Sequence, residues 1–375
     1  MDLLFSSLAA YGHTFPLIPL ARAAQRAGHR VHWATGGTMH RVLDELGFAT
    51  ETAGTSIADA FEQVVASSGS VSSTAELKAN TEGHRDLVDR AFGEIIPRSF
   101  ATDLAPILDR VRPDAVIAEA GNFGAVDAAA AAGIPVVVHG IGRGFGFDRD
   151  VADAPLLDIF PASIQDPAVV RRVGRIPLRP TAFAPDGPLP AVVTDDSDLR
   201  PLVYVTLGTE FGDAAILAAA VTSIASLGVR VLLALGPSVS REALGVVPDA
   251  VHVADWVPQA AVLPHASAIV HHGGAGTTLA ALAAGLPQLV LPQGADQFRN
   301  ADAVVSGGLG RQLIGAQTTP LGIRSAVEEL LDPAALITRA CAVMVDEIEA
   351  MPSPDAVVAD LPALVGRRSD AASSA

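Results

Sequence analysis

Residues 270–279 read Val-His-His-Gly-Gly-Ala-Gly-Thr-Thr-Leu. That order is a β-strand running through glycines into a helix of alanines and leucines. Glycine lets a backbone come close to a ligand. The first turn of a helix leaves N–H groups unpaired at the positive end of its dipole, which suits a phosphate. The hydroxyls of Thr277 and Thr278 add donors, and a histidine beside the turn can donate to a phosphate oxygen. The plainer alternative is a tight strand-to-helix turn with no ligand. Two hydroxyls and a histidine converging on one helix start favour the anion site.

His13 is the second chemical candidate, in Gly12-His13-Thr14-Phe15-Pro16 after the first apolar run. A neutral imidazole, with an ordinary pKa of about 6.5, can take a proton from a hydroxyl; the alternative is a histidine capping the following helix. Trp256, read alone, is a core aromatic. Asp196-x-Asp198 has the spacing of a metal-holding carboxylate pair, but linker acids are commonly solvated, and that reading is preferred. Gly142-Arg-Gly144-Phe-Gly146 follows a strand yet lacks the dinucleotide glycine spacing, and is read as a cleft loop.

Composition removes other chemistries. The chain has 375 residues, 50% hydrophobic and 18% charged, with a net charge of −16. The length suits two domains, and the apolar fraction excludes wholesale disorder. An acidic surface repels nucleic-acid phosphates and anionic lipid. Lys78, the single lysine, follows Ala-Glu-Leu, so a Walker phosphate loop and a buried Schiff-base lysine are both excluded. Cys341, the single cysteine, excludes an internal disulfide and a Cys-based zinc cluster. No histidine begins a His-Glu-x-x-His motif. No segment has the length and apolarity of a bilayer span, and residues 3–8 read as a first strand rather than a signal peptide. A cytoplasmic location is expected.

The elements that must hold these residues alternate strand and helix. A strand at 3–8, a loop at 12–16, a helix near 17–27 ended by Gly28 and a strand at 30–34 make a βαβ unit. The pattern returns with a strand at 114–118, an Ala-rich helix to 132 and a strand at 135–139. Residues 55–105 look helical with polar breaks, a stretch suited to a variable pocket. Prolines and acids over 176–201 read as a linker. A second series follows, with strands at 202–207, 229–234, 251–253, 268–271 and 288–291. The last helix, near 356–361, is expected to end before Pro362, and residues 367–375 to be a disordered tail. This predicts an α/β protein of two doubly wound Rossmann-like domains, facing a central cleft beyond the carboxyl ends of both sets of strands. The expected division is an N-terminal domain (1–180), a linker (181–200), a second domain (201–350) and a C-terminal helix and tail (351–375).

Residues 270–279, followed by Gly285-Leu286-Pro287 and Pro292-Gln293-Gly294-Ala295-Asp296-Gln297, resemble the donor signature of family 1 glycosyltransferases of the GT-B fold, in the bacterial branch that decorates antibiotics and other natural products. Trp256-Val257-Pro258-Gln259 is similar to that family's base-recognition segment. Tyr204-Val205-Thr206-Leu207-Gly208-Thr209 is similar to its first strand and turn after the linker, and Gly12-His13-Thr14-Phe15-Pro16 to its N-terminal loop. Asp158-Ile159-Phe160-Pro161 and Ile176-Pro177-Leu178-Arg179-Pro180 also fit the branch. Only about 55–105 has no matching motif.

The resemblance implies roles, with 1–180 the acceptor-binding domain, 201–350 the nucleotide-sugar donor-binding domain and the loop at Gly142 to Gly146 facing acceptor or donor. His272 and Thr277 fall on the phosphate-binding positions, with Thr278 beside them, while His271 is structural. Gly274 and Gly276 offer close backbone contact. Gly208 and Thr209 form the opposite loop, Thr209 capping the diphosphate. Trp256 stacks on the nucleobase, the Val257 backbone bonds the base edge, Gln259 contacts the ribose, and Asp296 and Gln297 hold sugar hydroxyls. His13 is implied as the catalytic base. Where the family has an aspartate to orient that base, this chain has Glu119, which either reaches His13 or contacts the acceptor.

The reaction so implied is an inverting, metal-independent transfer of a sugar from a dTDP- or UDP-sugar to a hydroxyl of a hydrophobic polyketide, macrolide or aromatic aglycone, with domain closure excluding water. No cofactor or metal is expected beyond the nucleotide-sugar co-substrate, and the partners are donor and aglycone, with neither nucleic acid nor integral membrane contact; a homodimer is admissible. The rival readings are a transferase for a lipid or saccharide acceptor, a catalytically silent sugar-nucleotide-binding partner of another transferase, and a GT-B nucleotide-sugar epimerase.

Overall fold

The computed structural model describes residues 1–69, 71–79, 83–144, 154–209 and 212–372. The chain divides into two compact units, one of Met1–Phe160, Asp166–Arg179 and Met351–Ala375, the other of Pro161–Gln165 and Pro180–Ala350.

The first unit is built on a parallel sheet of β1 (Asp2–Ser6), β2 (Arg30–Thr35), β3 (Ala49–Thr52), β4 (Ala115–Glu119), β5 (Val136–His139), β6 (Leu156–Asp158) and β7 (Arg175–Pro177). Their order is β3-β2-β1-β4-β5-β6-β7. Strands covered on both faces read as continuous apolar runs, and Leu3, Leu4 and Phe5 of β1 and all five residues of β4 are buried. Leu4, Val116, Ala118 and Val138 face one core, which Phe61, Phe100 and Leu104 complete from helices Ile57–Ser68 and Ile96–Val111. The chain winds outward from β1 to β3 and returns beside β1 as β4. Connections leaving these two neighbours part at their carboxyl ends, which is where doubly wound sheets hold ligands.

The second unit repeats the plan with β8 (Leu202–Thr206), β9 (Arg230–Ala234), β10 (Val251–Ala254), β11 (Ala268–His271), β12 (Gln288–Val290) and β13 (Gly310–Gln312), in the order β10-β9-β8-β11-β12-β13. Its parting point lies between β8 and β11, which run in register with Val205 opposite Val270 and Thr206 opposite His271.

Three local expectations are corrected. Residues 12–16 are not a loop: a helical turn, Tyr11–Thr14, leads into a 3₁₀ turn, Phe15–Leu17. Pro16 sits at the start of that turn, where its missing N–H costs nothing. The last helix does not stop before Pro362 but spans Pro354–Ala372. Val357, Val358 and Leu361 anchor it by burial, whereas Pro362 is exposed, where water can replace the lost hydrogen bond. The segment read as linker begins inside β7 and contains a helical turn, Ala191–Thr194. Within it Asp198 is paired by the Arg200 guanidinium at 2.6 Å, which draws its carboxyl down to about 2. Residues 145 and 146 of the glycine-rich stretch after β5, and 373–375 of the tail, lie outside the described residues.

Candidate active site

The expected site residues fall into two groups, one on each unit: His13 and Glu119 at the first parting point, and in the second unit Gly208 and His272 to Thr278 at the parting point, with Trp256 to Gln259 after β10 and Asp296 and Gln297 after β12. In the first unit His13 stands on the turn that follows β1, and Glu119 ends β4. His13 Nδ1 lies 2.9 Å from Glu119 Oε2, with 14% of the His13 side chain exposed and that of Glu119 buried. A carboxylate only accepts hydrogen bonds, so Nδ1 carries the proton and the lone pair of the neutral ring is on Nε2. Such a ring can receive a proton at Nε2 while the carboxylate stabilises the resulting charge. The side chain of Glu119 therefore reaches His13, although it ends β4 at a distance of 106 residues. Glu119 Oε1 is buried without a hydrogen-bond partner. Tyr11 and Phe15 flank His13 on the same turn, their rings 5.0 Å apart and edge to face.

The second group gathers around the His272 ring. A Cβ on Gly208, after β8, would lie 2.5 Å from its Cε1, and one on Gly274 would lie 2.4 Å from its Nε2. Both glycines are thus accounted for by the imidazole they clamp. Gly276 differs, because a Cβ there would meet nothing within 4 Å. It sits exposed in the first turn of the helix Ala275–Ala283, whose N-cap Gly274 supplies no side-chain hydrogen bond. Burial, and secondarily His271, push the His272 ring down to about 3, so it is neutral near pH 7. His272 Nδ1 is buried without a partner.

His271 is structural. Gly273 N–H donates to its Nδ1 at 3.1 Å, which leaves the proton on Nε2, 2.8 Å from Gln288 Oε1. Thr277 and Thr278 part company. Thr277 is half-buried, its Oγ1 3.5 Å from Gln259 Oε1. Thr278 is buried and its hydroxyl donates 3.0 Å back to Gly274 O, so the expectation that it offers a donor to a phosphate is corrected: the helix consumes it. Trp256 is 46% exposed, which removes the core reading, while the neighbouring Val257 side chain is buried. Gln259 opens the helical turn Gln259–Val262. Thr209 is half-buried beside Gly208.

Asp296 stands at the N-cap position of the helix Gln297–Ser306, makes no side-chain cap bond, and accepts from Asn300 Nδ2 at 2.9 Å. The same Nδ2 donates to Gly273 O at 2.8 Å, which joins the Asp296 loop to the glycine turn. Gln297 is buried and its Oε1 accepts from the N–H groups of Gln293 and Gly294 at 2.7 and 3.1 Å. Its carbonyl oxygen thus braces the loop, and its amide nitrogen is the group left to consider for a sugar. Sequence reading overlooked Asn300 and Gln288. Asn300 stands one helical turn after Asp296, a spacing at which the two side chains meet; Gln288 carried no such signal. Among the described residues, no three His, Cys, Asp or Glu side chains are grouped to hold a metal ion.

Two parallel Rossmann-like units, one carrying a His–carboxylate pair and the other a clamped histidine beside an open helix start, define a glycosyltransferase of the GT-B class. A family model described as erythromycin biosynthesis protein CIII-like, C-terminal domain, matches residues 218–364. An elloramycin glycosyltransferase of Streptomyces olivaceus is 33% identical over 96% of this chain and 97% of its own. The crystal structure of the glycosyltransferase SnogD from Streptomyces nogalater superposes with a TM-score of 0.76 at 26% identity, covering 97% of this chain and 99% of that one. A structure of the glycosyltransferase VinC in complex with dTDP shares the fold, with a TM-score of 0.77 at 23% identity over 98% and 100% of the two chains. The chain belongs to the bacterial antibiotic glycosyltransferases of family 1. It is an enzyme that transfers a sugar, of the antibiotic-biosynthesis type. No described helix is long and apolar enough to cross a membrane.

Proposed function

We propose that this enzyme moves a sugar, with inversion at the anomeric carbon, from a dTDP- or UDP-sugar to a hydroxyl of a hydrophobic polyketide, macrolide or aromatic aglycone. The observation that carries the reading is the 2.9 Å bond between His13 Nδ1 and Glu119 Oε2, which leaves Nε2 as a base. Nε2 takes the proton of the acceptor hydroxyl as its oxygen attacks the anomeric carbon. The bond from that carbon to the diphosphate oxygen breaks, and the nucleoside diphosphate leaves with the electron pair.

The growing charge on the leaving group is met by the second group of residues. The first-turn N–H groups of helix Ala275–Ala283, reachable over Gly276, the neutral His272 ring, Thr277 and Thr209 are donors of the kind an oxyanion needs. These donors supply the stabilisation a metal ion would otherwise give, and no metal or organic cofactor is assigned. Trp256, with Val257 and Gln259, offers a face and an edge for the nucleobase and ribose, and Asp296 with Gln297 receives the sugar. A dTDP donor is favoured because VinC, of the same fold, binds dTDP.

The reading is tested by incubating the enzyme with dTDP- and UDP-glucose against a panel of aglycones and weighing the products. Acceptor-dependent release of nucleoside diphosphate supports it, and the anomeric configuration by NMR checks inversion. His13→Ala should lose turnover yet bind dTDP as before; a fully active variant would sink the base assignment.

A further inference from the structure

We propose that Thr14 and Asn122 are positioning residues for sugar transfer, acting on His13 and Glu119 through two consecutive serines at the end of β1. The proposal rests on the reading of His13 as the base. His13 stands on a four-residue helical turn whose N-cap, Ala10, makes no side-chain hydrogen bond. That turn begins a helical run that continues through Phe15–Leu17 and Ile18–Arg26, and its uncapped start leaves the His13 end of the run to be fixed by side-chain bonds.

Thr14, the next residue, is buried, and its Oγ1 donates to Leu8 O at 3.0 Å. Its single hydroxyl proton is thereby used, so the 3.0 Å contact with Ser7 Oγ is one in which Ser7 donates. Trp33 Nε1, which can only donate, reaches Ser7 Oγ at 3.1 Å. Every proton is placed: Trp33 to Ser7, Ser7 to Thr14, Thr14 to the Leu8 carbonyl. The chain ties the His13 turn to β1 and to a buried indole on β2.

Glu119 is held by a matching chain. Asn122 N–H donates to Glu119 O at 2.9 Å. Asn122 Oδ1 caps the helix Phe123–Ala131 by accepting from Ala125 N at 3.1 Å, and its Nδ2 donates to Ser6 Oγ at 2.9 Å. Ser6 Oγ in turn donates to Ala34 O at 3.1 Å. Ser6 is the last residue of β1 and Ser7 follows it, so the two members of the pair are held from neighbouring residues. Misplacing a reacting group by about 1 Å can cost on the order of 100-fold in rate, which is what the two chains prevent.

The test is Thr14→Val, which keeps the branched shape and removes the hydroxyl, assayed with a donor and aglycone that the wild-type enzyme turns over. The expected result is a fall in kcat of about 10-fold or more, with the donor KM and the dTDP Kd held within about 2-fold. Thr14→Ser should restore the rate, and Thr14→Val should not slow His13→Ala further, because its effect passes through His13. Asn122→Asp, which keeps the helix cap and removes the donor to Ser6, should show the same separation of kcat from donor affinity. A wild-type kcat in Thr14→Val, a matching loss of dTDP affinity, failure of Thr14→Ser to rescue, or a further loss on His13→Ala would each overturn the proposal. A fully active His13→Ala would remove the base reading and this one with it, a result read without any Thr14 variant.

Discussion

A side-chain carbon on Gly208 would stand 2.5 Å from Cε1 of His272. No side chain tolerates that approach, so the glycine on one loop is a condition for the imidazole on the next. A side-chain carbon on Gly274 would stand 2.4 Å from Nε2 of the same ring, and the imidazole is clamped between two backbones.

Gly274→Ala tests the clamp cleanly, because the backbone there is extended (φ −60, ψ 139) and suits alanine. It should weaken dTDP binding about 10-fold by turning the ring out. Gly208→Ala should add left-handed backbone strain at φ 78, about 1–2 kcal/mol of stability. Gly276→Ala should leave the melting temperature unchanged, since its Cβ meets no protein atom, and still weaken dTDP. Calorimetric titration with dTDP and thermal melts separate the three; tight binding by Gly274→Ala would refute the clamp.

Glu119→Gln removes the negative charge opposite Nδ1 and keeps the shape. The kcat should drop on the order of 100-fold, the scale of general-base catalysis, while the donor KM and dTDP Kd stay near wild type. Steady-state kinetics at saturating donor would show it. An unchanged kcat would mean that the 2.9 Å bond to His13 serves the fold and not the reaction.

Thr277→Val and Thr278→Val should behave oppositely. The first should weaken dTDP and alter the melt little, since its hydroxyl has only the long 3.5 Å contact with Gln259 Oε1 to lose. The second should leave dTDP binding intact and cost about 1 kcal/mol, the worth of one hydrogen bond, because its hydroxyl is spent on Gly274 O. If both weaken dTDP equally, the assignment of the phosphate to Thr277 alone is wrong.

Acid should unfold the enzyme through its buried histidines. Burial holds His139 and His271 down to about 4, against an ordinary 6.5. Below 6.5 the unfolded chain takes up protons that the native rings refuse, so stability is full above that pH and falls as pH drops from 6.5 toward 4. The slope should approach about 1.4 kcal/mol per pH unit for each ring. Urea midpoints at pH 7, 6 and 5 check this, and His139→Gln should flatten the fall. A midpoint that does not move between pH 7 and 5 would contradict it.

Much of this was legible in the chain as text. Apolar runs with glycine and proline punctuation placed most of the strands. The βα alternation predicted two doubly wound units, and the glycine-rich strand-to-helix segment with its histidines predicted an anion-binding helix start. These are local patterns, set by backbone geometry and side-chain period over a few residues. β3 (Ala-Thr-Glu-Thr), β7 (Arg-Ile-Pro) and β13 (Gly-Arg-Gln) carry no apolar run to mark them, unlike the equally short β11 and β12. The Pro362 boundary failed because tertiary burial of Val357, Val358 and Leu361 outweighed a local breaker.

What the text could not contain is which polar groups are spent on other parts of the protein. Thr277 and Thr278 are identical as letters, yet helix geometry turns one hydroxyl onto Gly274 O and brings the other, half-buried, to 3.5 Å from Gln259 Oε1. Gly208, Gly274 and Gly276 look alike, but two answer to the His272 ring and one to open space. Glu119 offered two fates until the β1–β4 pairing brought it to His13. Gly208 against His272 and Glu119 against His13 depend on contacts between segments far apart along the chain, and the Thr278 bond on the direction a hydroxyl takes within its own helix; the order of the letters records neither.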